Sequence, residues 1–177
     1  LFMNVKKLKT DYTDKYSDKQ LQSKAEMYCS SAERCPSDVE AKLIGWGGTP
    51  ETVASVMSHL FKEKYLDTIR FSSAFVRDKY RFNQWGRMKI AQALRIKGLT
   101  AEEIEAGLEC IDEEEYNKIL YSLLKQKIKT VKGATDYERN TKIIRFAAGR
   151  GFTMPEIMKQ IKQLGNTDID ETDVFEF

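Results

Sequence analysis

His59 is the only histidine in the chain, so any Ser–His–Asp or Cys–His nucleophile system would have to use it. It stands in Val56-Met57-Ser58-His59-Leu60, a stretch of helical spacing with no catalytic pattern around it, and reads as a surface or packing residue. Cys29, Cys35 and Cys110 are odd in number and form no C-x-x-C. They suggest neither a disulfide framework nor a zinc site, and fit reduced thiols in a cytosolic protein. There is no G-x-x-x-x-G-K-[ST], and Gly149-Arg150-Gly151 lacks both a third glycine and a preceding strand, so no phosphate-cradling loop is expected. Eight acids crowd residues 102–115 with no base among them; they read as exposed helix charge rather than an acid–base pair. The sequence therefore predicts a protein that is not an enzyme and uses no cofactor and no metal.

The chemistry that the sequence does offer is charge. Between Arg70 and Lys97 there are eight bases and one acid, Asp78, with Phe71, Phe75, Tyr80, Phe82 and Trp85 interleaved. Between Lys118 and Arg150 nine bases face two acids, Asp136 and Glu138. Runs that lack interspersed acids point to binding of a polyanion or an acidic surface. Basic residues beside aromatics can contact phosphates and stack on bases. Phe71 and Phe75 lie four apart, the spacing of a helix face turned into a core, so the aromatics are expected to be mostly structural. The formal net charge of +2 conceals an asymmetry: Gly165–Phe177 holds five acids and no base. Residues 1–164 therefore carry 29 bases against 22 acids, a net of +7. The tail reads as a solvated terminus, with a DNA-mimicking segment as the alternative.

Helices must position these charges. Thr49, Thr100 and Thr153 lie 51 and 53 residues apart, each two residues after a glycine (Gly47, Gly98, Gly151). Four, eight and eleven residues after them stand Val53, Met57 and Leu60; Ile104, Leu108 and Ile111; Ile157, Ile161 and Leu164. Those offsets share one helix face. Ten and six residues before each threonine stand Val39 and Leu43, Ile90 and Leu94, Ile143 and Ala147, a second stripe on a preceding helix. The glycine ends that helix in a left-handed C-cap and the threonine caps the next. Thr100…Glu103 and Thr153…Glu156 make capping boxes, and Pro50 takes the first helical position in the first copy. A further helix precedes each pair, over Asp18–Ala32, Asp67–Arg81 and Asp112–Val131. The expectation is an all-α fold, an elongated tandem array of three three-helix repeats over 18–65, 66–111 and 112–164. An N-terminal extension (1–17) and the acidic tail flank it. A compact bundle of unrelated helices is the competing architecture.

The residues that carry the repeat resemble the RecX family, regulators of the RecA recombinase. Tyr65-Leu66-Asp67-Thr68-Ile69-Arg70-Phe71 is similar to that family's "gyl(D/N)D-x-RFa" signature, with Thr68 where a second Asp is frequent. Trp85-Gly86, Ile90, Leu94 and Lys97-Gly98-Leu99 follow its next motif. Lys142-Ile143-Ile144-Arg145-Phe146…Gly149-Arg150-Gly151-Phe152…Ile157 resembles its ending. The likeness covers about residues 18–164. It implies tandem three-helix repeats and no activity of the chain's own. It also implies a partner, the RecA filament on single-stranded DNA, whose growth, ATPase, strand exchange and co-protease functions are suppressed. DNA, single- or double-stranded, is a further implied partner.

The candidate contact residues are Arg70, Arg77, Arg81, Arg87, Lys89, Arg95 and Lys97, extended by Lys142, Arg145 and Arg150. Arg70 and Arg145, each beside a phenylalanine, could equally pair with a carboxylate inside their own unit. A stand-alone DNA-binding helical module and a helical-repeat scaffold for another protein are the rival readings. No apolar run approaches the ~20 residues of a membrane span, and Leu1–Lys7 is too short and polar for a signal peptide. A cytoplasmic monomer is expected.

Overall fold

A computed structural model describes residues 16–165. The extension before Tyr16 and the acidic tail beyond Gly165 lie outside the described residues. Among the described residues there are nine helices and no strand. They are α1 (Asp18–Ser30), α2 (Pro36–Gly45), α3 (Pro50–Lys62), α4 (Thr68–Arg81), α5 (Arg87–Ile96), α6 (Ala101–Leu108), α7 (Glu113–Thr130), α8 (Asp136–Ala148) and α9 (Met154–Gln163). The chain divides into two compact units, one up to Thr68 and one from Ile69 onward.

The junctions that set the repeat form as the sequence predicts. Gly47, Gly98 and Gly151 have φ of 95°, 88° and 89°, the left-handed C-cap region. Thr49 and Thr100 each accept a backbone N–H three residues on, at 3.2 Å. Glu103 and Glu156 complete the boxes by accepting the backbone N–H of Thr100 and Thr153 at 2.8 and 2.7 Å. The first helices of the three sets are slightly shorter than expected: α1 starts at Asp18 as expected but ends at Ser30, with Ser31 as its C-cap, α4 starts at Thr68, and α7 lies between its caps Asp112 and Val131. Asp112 accepts the Glu115 N–H at 2.8 Å.

In the first unit, Leu21, Ala25 and Cys29 of α1, Val39 and Leu43 of α2, and Val53, Val56 and Leu60 of α3 form one core with Leu66. Polar clamps reinforce it. The Thr52 hydroxyl donates to Asp18 at 2.8 Å. Glu26 Oε1 receives Gln22 Nε2 at 2.9 Å and His59 Nε2 at 2.7 Å, which ties α1 to α3. The lone histidine is thus a half-buried packing residue.

The two donors lower the Glu26 carboxyl below its ordinary range, with the Gln22 hydrogen bond the larger cause and the His59 bond next. A carboxyl depressed in the folded state contributes stability above its unfolded pKa and loses it as pH falls through the folded one. Replacing Glu26 by Gln is therefore expected to lower the stability of this unit at neutral pH. That deficit should shrink once the pH drops below about 4.3, the ordinary glutamate value. Urea titrations of both proteins across that range check it; a deficit independent of pH would reject the clamp.

In the second unit most of the predicted stripe residues are buried, with Ile90 and Leu94 at 0%, Ile143 at 2%, Ile157 and Ile161 at 0% exposure, whereas Leu108 and Leu164 are half-buried. Between α4 and α6 the backbones approach closely. A Cβ on Gly107 would lie 1.9 Å from Ser72 Oγ. Ser72 is fully buried and its hydroxyl has no hydrogen-bond partner among the described residues. It is there because only a small side chain fits opposite the glycine.

Candidate partner-binding face

The second and third helix sets meet inside the second unit at a backbone seam. The turn between α8 and α9 lies against the start of α5. Gly86 N donates to Arg150 O at 2.7 Å and Met88 N donates to Gly151 O at 3.0 Å. Between them, Arg87 N donates to the Tyr116 phenol oxygen at 2.9 Å. The orphan N–H groups at the start of α5 are thus satisfied by the neighbouring helix set. Gly86 supplies no side-chain cap, and its lack of a Cβ is what permits the approach. A Cβ there would lie 2.2 Å from the Gly151 carbonyl. Tyr116 is fully buried, with Phe152 at 5.3 Å and Tyr80 at 6.1 Å between ring centroids. Burial raises its phenol far above the ordinary range, so it stays protonated.

Arg87 sits on this seam. Its guanidinium lies 4.4 Å from the Tyr116 ring centroid, donates to Glu156 at 2.5 Å and also pairs with Glu113. Glu156 therefore serves twice, one oxygen capping α9 and the other holding Arg87. Arg81 is exposed but pairs with Glu115 at 2.8 Å, and the Tyr80 hydroxyl donates to the same oxygen. This lowers the Glu115 carboxyl, chiefly through Arg81. Lys142 donates to Glu138 at 2.6 Å and to the Lys132 carbonyl at 3.0 Å. These three cations tie the fold together.

The other candidates are arranged differently. Lys89 Nζ stands 4.7 Å from the Trp85 ring centroid, and Lys79 lies 5.2 Å from the same ring. The Arg150 guanidinium stacks on Phe146 at 3.9 Å, with Lys127 at 5.0 Å. Arg77 and Arg95 are exposed. None of Arg77, Lys89, Arg95 and Arg150 has an ion pair among the described residues. Arg70 and Arg145 are exposed and Lys97 is half-buried at the end of α5. The seam thus brings Arg87, Lys89 and Arg150 together. Arg70, Arg77 and Arg81 lie on α4, and Lys142 and Arg145 on α8.

A groove of about 420 Å³ opens beside the seam, lined by Met88, Lys89, Gln92 and Arg95 of α5 and by the Ala148–Gly149 end of α8. Met88 is 62% exposed. The expectation for the aromatics divides: Tyr80 and Phe71 are core, whereas Phe82 is 80% exposed and Trp85 is half-buried under two lysines. The candidates named from the sequence leave out Lys79 and Lys127, members of the basic runs that share the Trp85 ring with Lys89 and the Phe146 ring with Arg150. The available signal was the lysine-to-aromatic spacing of four in Lys79/Phe75 and Lys89/Trp85. Among the described residues no cluster has a metal-binding arrangement, and no helix is long and apolar enough to cross a membrane.

Comparison with known proteins gives the same division of the second unit. Residues 70–108 match the model of the second three-helix domain of RecX, and residues 113–161 match that of the third. The chain is 26% identical over 131 residues to a protein from Clostridium tetani named regulatory protein RecX, covering 72% of this chain and 59% of that one. It is 27% identical over 127 residues to one of the same name from Pelodictyon phaeoclathratiforme, covering 72% and 78%. The crystal structure of RecX from Lactobacillus salivarius superposes with a TM-score of 0.76 at 17% identity, covering 84% of this chain and 97% of that one. The last likeness shows a shared fold. Three of the matched relatives, from Clostridium tetani, Oceanobacillus iheyensis and Clostridium botulinum, are longer, and the chain spans 59%, 43% and 62% of them.

Proposed function

The chain belongs to the RecX family, and from that membership we propose that it binds the RecA recombinase and its filament on single-stranded DNA and lowers recombinase activity. It does so in the cytoplasm, as a monomer, by occupying a surface and without catalysis. It thereby acts on DNA repair, recombination and the SOS response. The observation that supports this most is where the family match falls. The matched segments, 70–108 and 113–161, are the ones that carry both basic runs.

The contact surface in this reading is the outer side of the seam. Lys89, Arg95 and Arg150, joined by Arg77, supply charge that no carboxylate among the described residues pairs with. Arg70, Lys97 and Arg145 extend it. Arg81, Arg87 and Lys142 serve it indirectly, by holding helices in place. Surface cations of this kind steer association and weaken with salt.

The test is the DNA-dependent ATPase of RecA, titrated with the purified full chain. Inhibition at sub-stoichiometric ratio to RecA is expected. Lys89→Glu with Arg95→Glu should raise the concentration needed roughly tenfold, or about 1.4 kcal/mol, while leaving the melting temperature unchanged. A folded protein without effect on the ATPase would overturn the assignment. Salt-sensitive DNA binding in the absence of RecA, with no effect on RecA, would instead favour a stand-alone DNA-binding module.

A further inference from the structure

We propose that the turn between α4 and α5 is a stacking contact for single-stranded nucleic acid, with Phe82 as the ring that takes an unpaired base. Phe82 is 80% exposed, whereas the next most exposed aromatics among the described residues, Tyr137 and Phe61, reach 47% and 43%. The backbone beneath it is fixed. The Phe82 N–H donates to the Asp78 carbonyl at 2.9 Å and the Trp85 N–H to the Lys79 carbonyl at 3.1 Å. The next residue, Gly86, is held by its bond to Arg150 across the seam. Gln84 has a φ of 54°, and it and Lys64 are the only non-glycine residues with positive φ among the described residues. A side chain keeps that backbone only where its surroundings over-determine it, and such positions gather at contact sites. A ring carried on a rigid turn gives up little freedom when it is covered.

The charge around the turn selects the ligand. Arg81 and Arg87 flank it and are taken up by Glu115, Glu113 and Glu156. Lys79 and Lys89 are not. Their ammonium groups lie 5.2 and 4.7 Å from the Trp85 ring centroid, and neither has an ion pair among the described residues. Lys79 stands three residues before Phe82, a neighbour on the same helix face. Asp78, the one acid between Arg70 and Lys97, is outnumbered there by Arg77, Lys79 and Lys89. Asn83 and Gln84 are exposed and neutral, and their amides can donate to and accept from a base edge. Beyond Lys89, Gln92 and Arg95 line the groove beside the seam, a polar path for the phosphates that follow. An open ring, unpaired ammonium groups and free amides match the face, the phosphates and the edge of an unpaired nucleotide. A duplex offers no such base face. The contact rests on the reading that the chain meets single-stranded DNA in the RecA filament, and it gives the chain a hold of its own on that strand.

A fluorescein-labelled oligothymidylate, titrated with the full chain and followed by anisotropy, tests this without RecA. The parent should bind it, and binding should weaken with salt. Phe82→Ala should weaken binding about tenfold, as the loss of one base–aromatic stack does. The melting temperature and the slope against salt should not change, because no phosphate contact is removed. Phe82→Trp should bind as the parent does, and Phe82→Leu as weakly as Phe82→Ala. Lys79→Gln with Lys89→Gln should also weaken binding, but with a flatter slope against salt. No binding by the parent, or full binding by Phe82→Ala or Phe82→Leu, would overturn the proposal. So would an equal loss by Phe82→Ala toward a duplex of the same length. A parent that ignores the oligonucleotide yet inhibits the RecA ATPase would sink the stacking contact alone. One that binds it through Phe82 without inhibiting would sink the recombinase reading alone.

Discussion

Replacing Gly86 by alanine is expected to cost the second unit about 3 kcal/mol or more, at the upper end of what overpacking does. The reason is the identity of the atoms in the way. A Cβ at residue 86 would lie 2.2 Å from the Gly151 C and O and 2.3 Å from the Phe152 N. All three are backbone atoms, which no rotamer change can move. Relieving the overlap means separating the seam, and that breaks the bonds from Gly86 to Arg150 and from Met88 to Gly151, each worth about 1 kcal/mol net. Gly98→Ala provides the contrast. Its φ is +88°, but nothing lies within 4 Å of the added carbon, so only the left-handed backbone cost of about 1–2 kcal/mol applies. Urea unfolding of the two variants beside the parent checks both. A Gly86→Ala midpoint no lower than that of Gly98→Ala would refute the seam.

Arg87→Ala is expected to cost about 2 kcal/mol, less than the 3–5 typical when a fully buried pair is broken, because the side chain is 27% exposed. The loss combines two carboxylate partners with the stacking on Tyr116, and it leaves Glu156 at 18% exposure without its cation. Arg87→Lys should recover only part of it, since an ammonium lacks the planar fork that serves two carboxylates and an aromatic face together. Thermal denaturation measures the stability. The same variant separates structure from binding: any loss of recombinase inhibition in Arg87→Ala should disappear below its lowered melting temperature. The loss in the Lys89/Arg95 reversal should persist at every temperature. An Arg87→Ala protein of unchanged stability that no longer inhibits would make Arg87 a contact residue after all.

The helices were readable from the sequence because their signals are local. Gly98, Thr100 and Glu103 specify a helix end and a helix start within six residues, and Ile90, Leu94, Ile104 and Ile111 report the buried faces by period alone. The candidate site was readable only in part, because pairing is not local. Arg87 and Lys89 look equivalent in Gly86-Arg87-Met88-Lys89, being two residues apart in one basic run. They differ because α7 and α9 bring Glu113 and Glu156 to one of them and a tryptophan lies under the other. The partner Glu156 lies 69 residues away, beyond any spacing rule. Arg81 was indistinguishable from Arg77 for the same reason, until α7 supplied Glu115. Gly86 is a similar case: glycine is an ordinary N-cap, and its role shows only where Gly151 approaches it from 65 residues away.

Two peptide hydrogen bonds and an interlocked pair of glycines across the α5 and α8–α9 boundary also bear on how the chain melts. In stacked helical units, the balance between each unit's own stability and the coupling to its neighbour decides whether units open singly or together. Here the start of α5 has its N–H groups satisfied by the following helix set rather than by a cap of its own. Fraying of α9 or α8 therefore exposes the amide hydrogens of residues 86–88, and loss of α5 frees the α8–α9 turn. The two helix sets of the second unit are therefore expected to melt as one cooperative block, its innermost amides exchanging with solvent when the whole block opens.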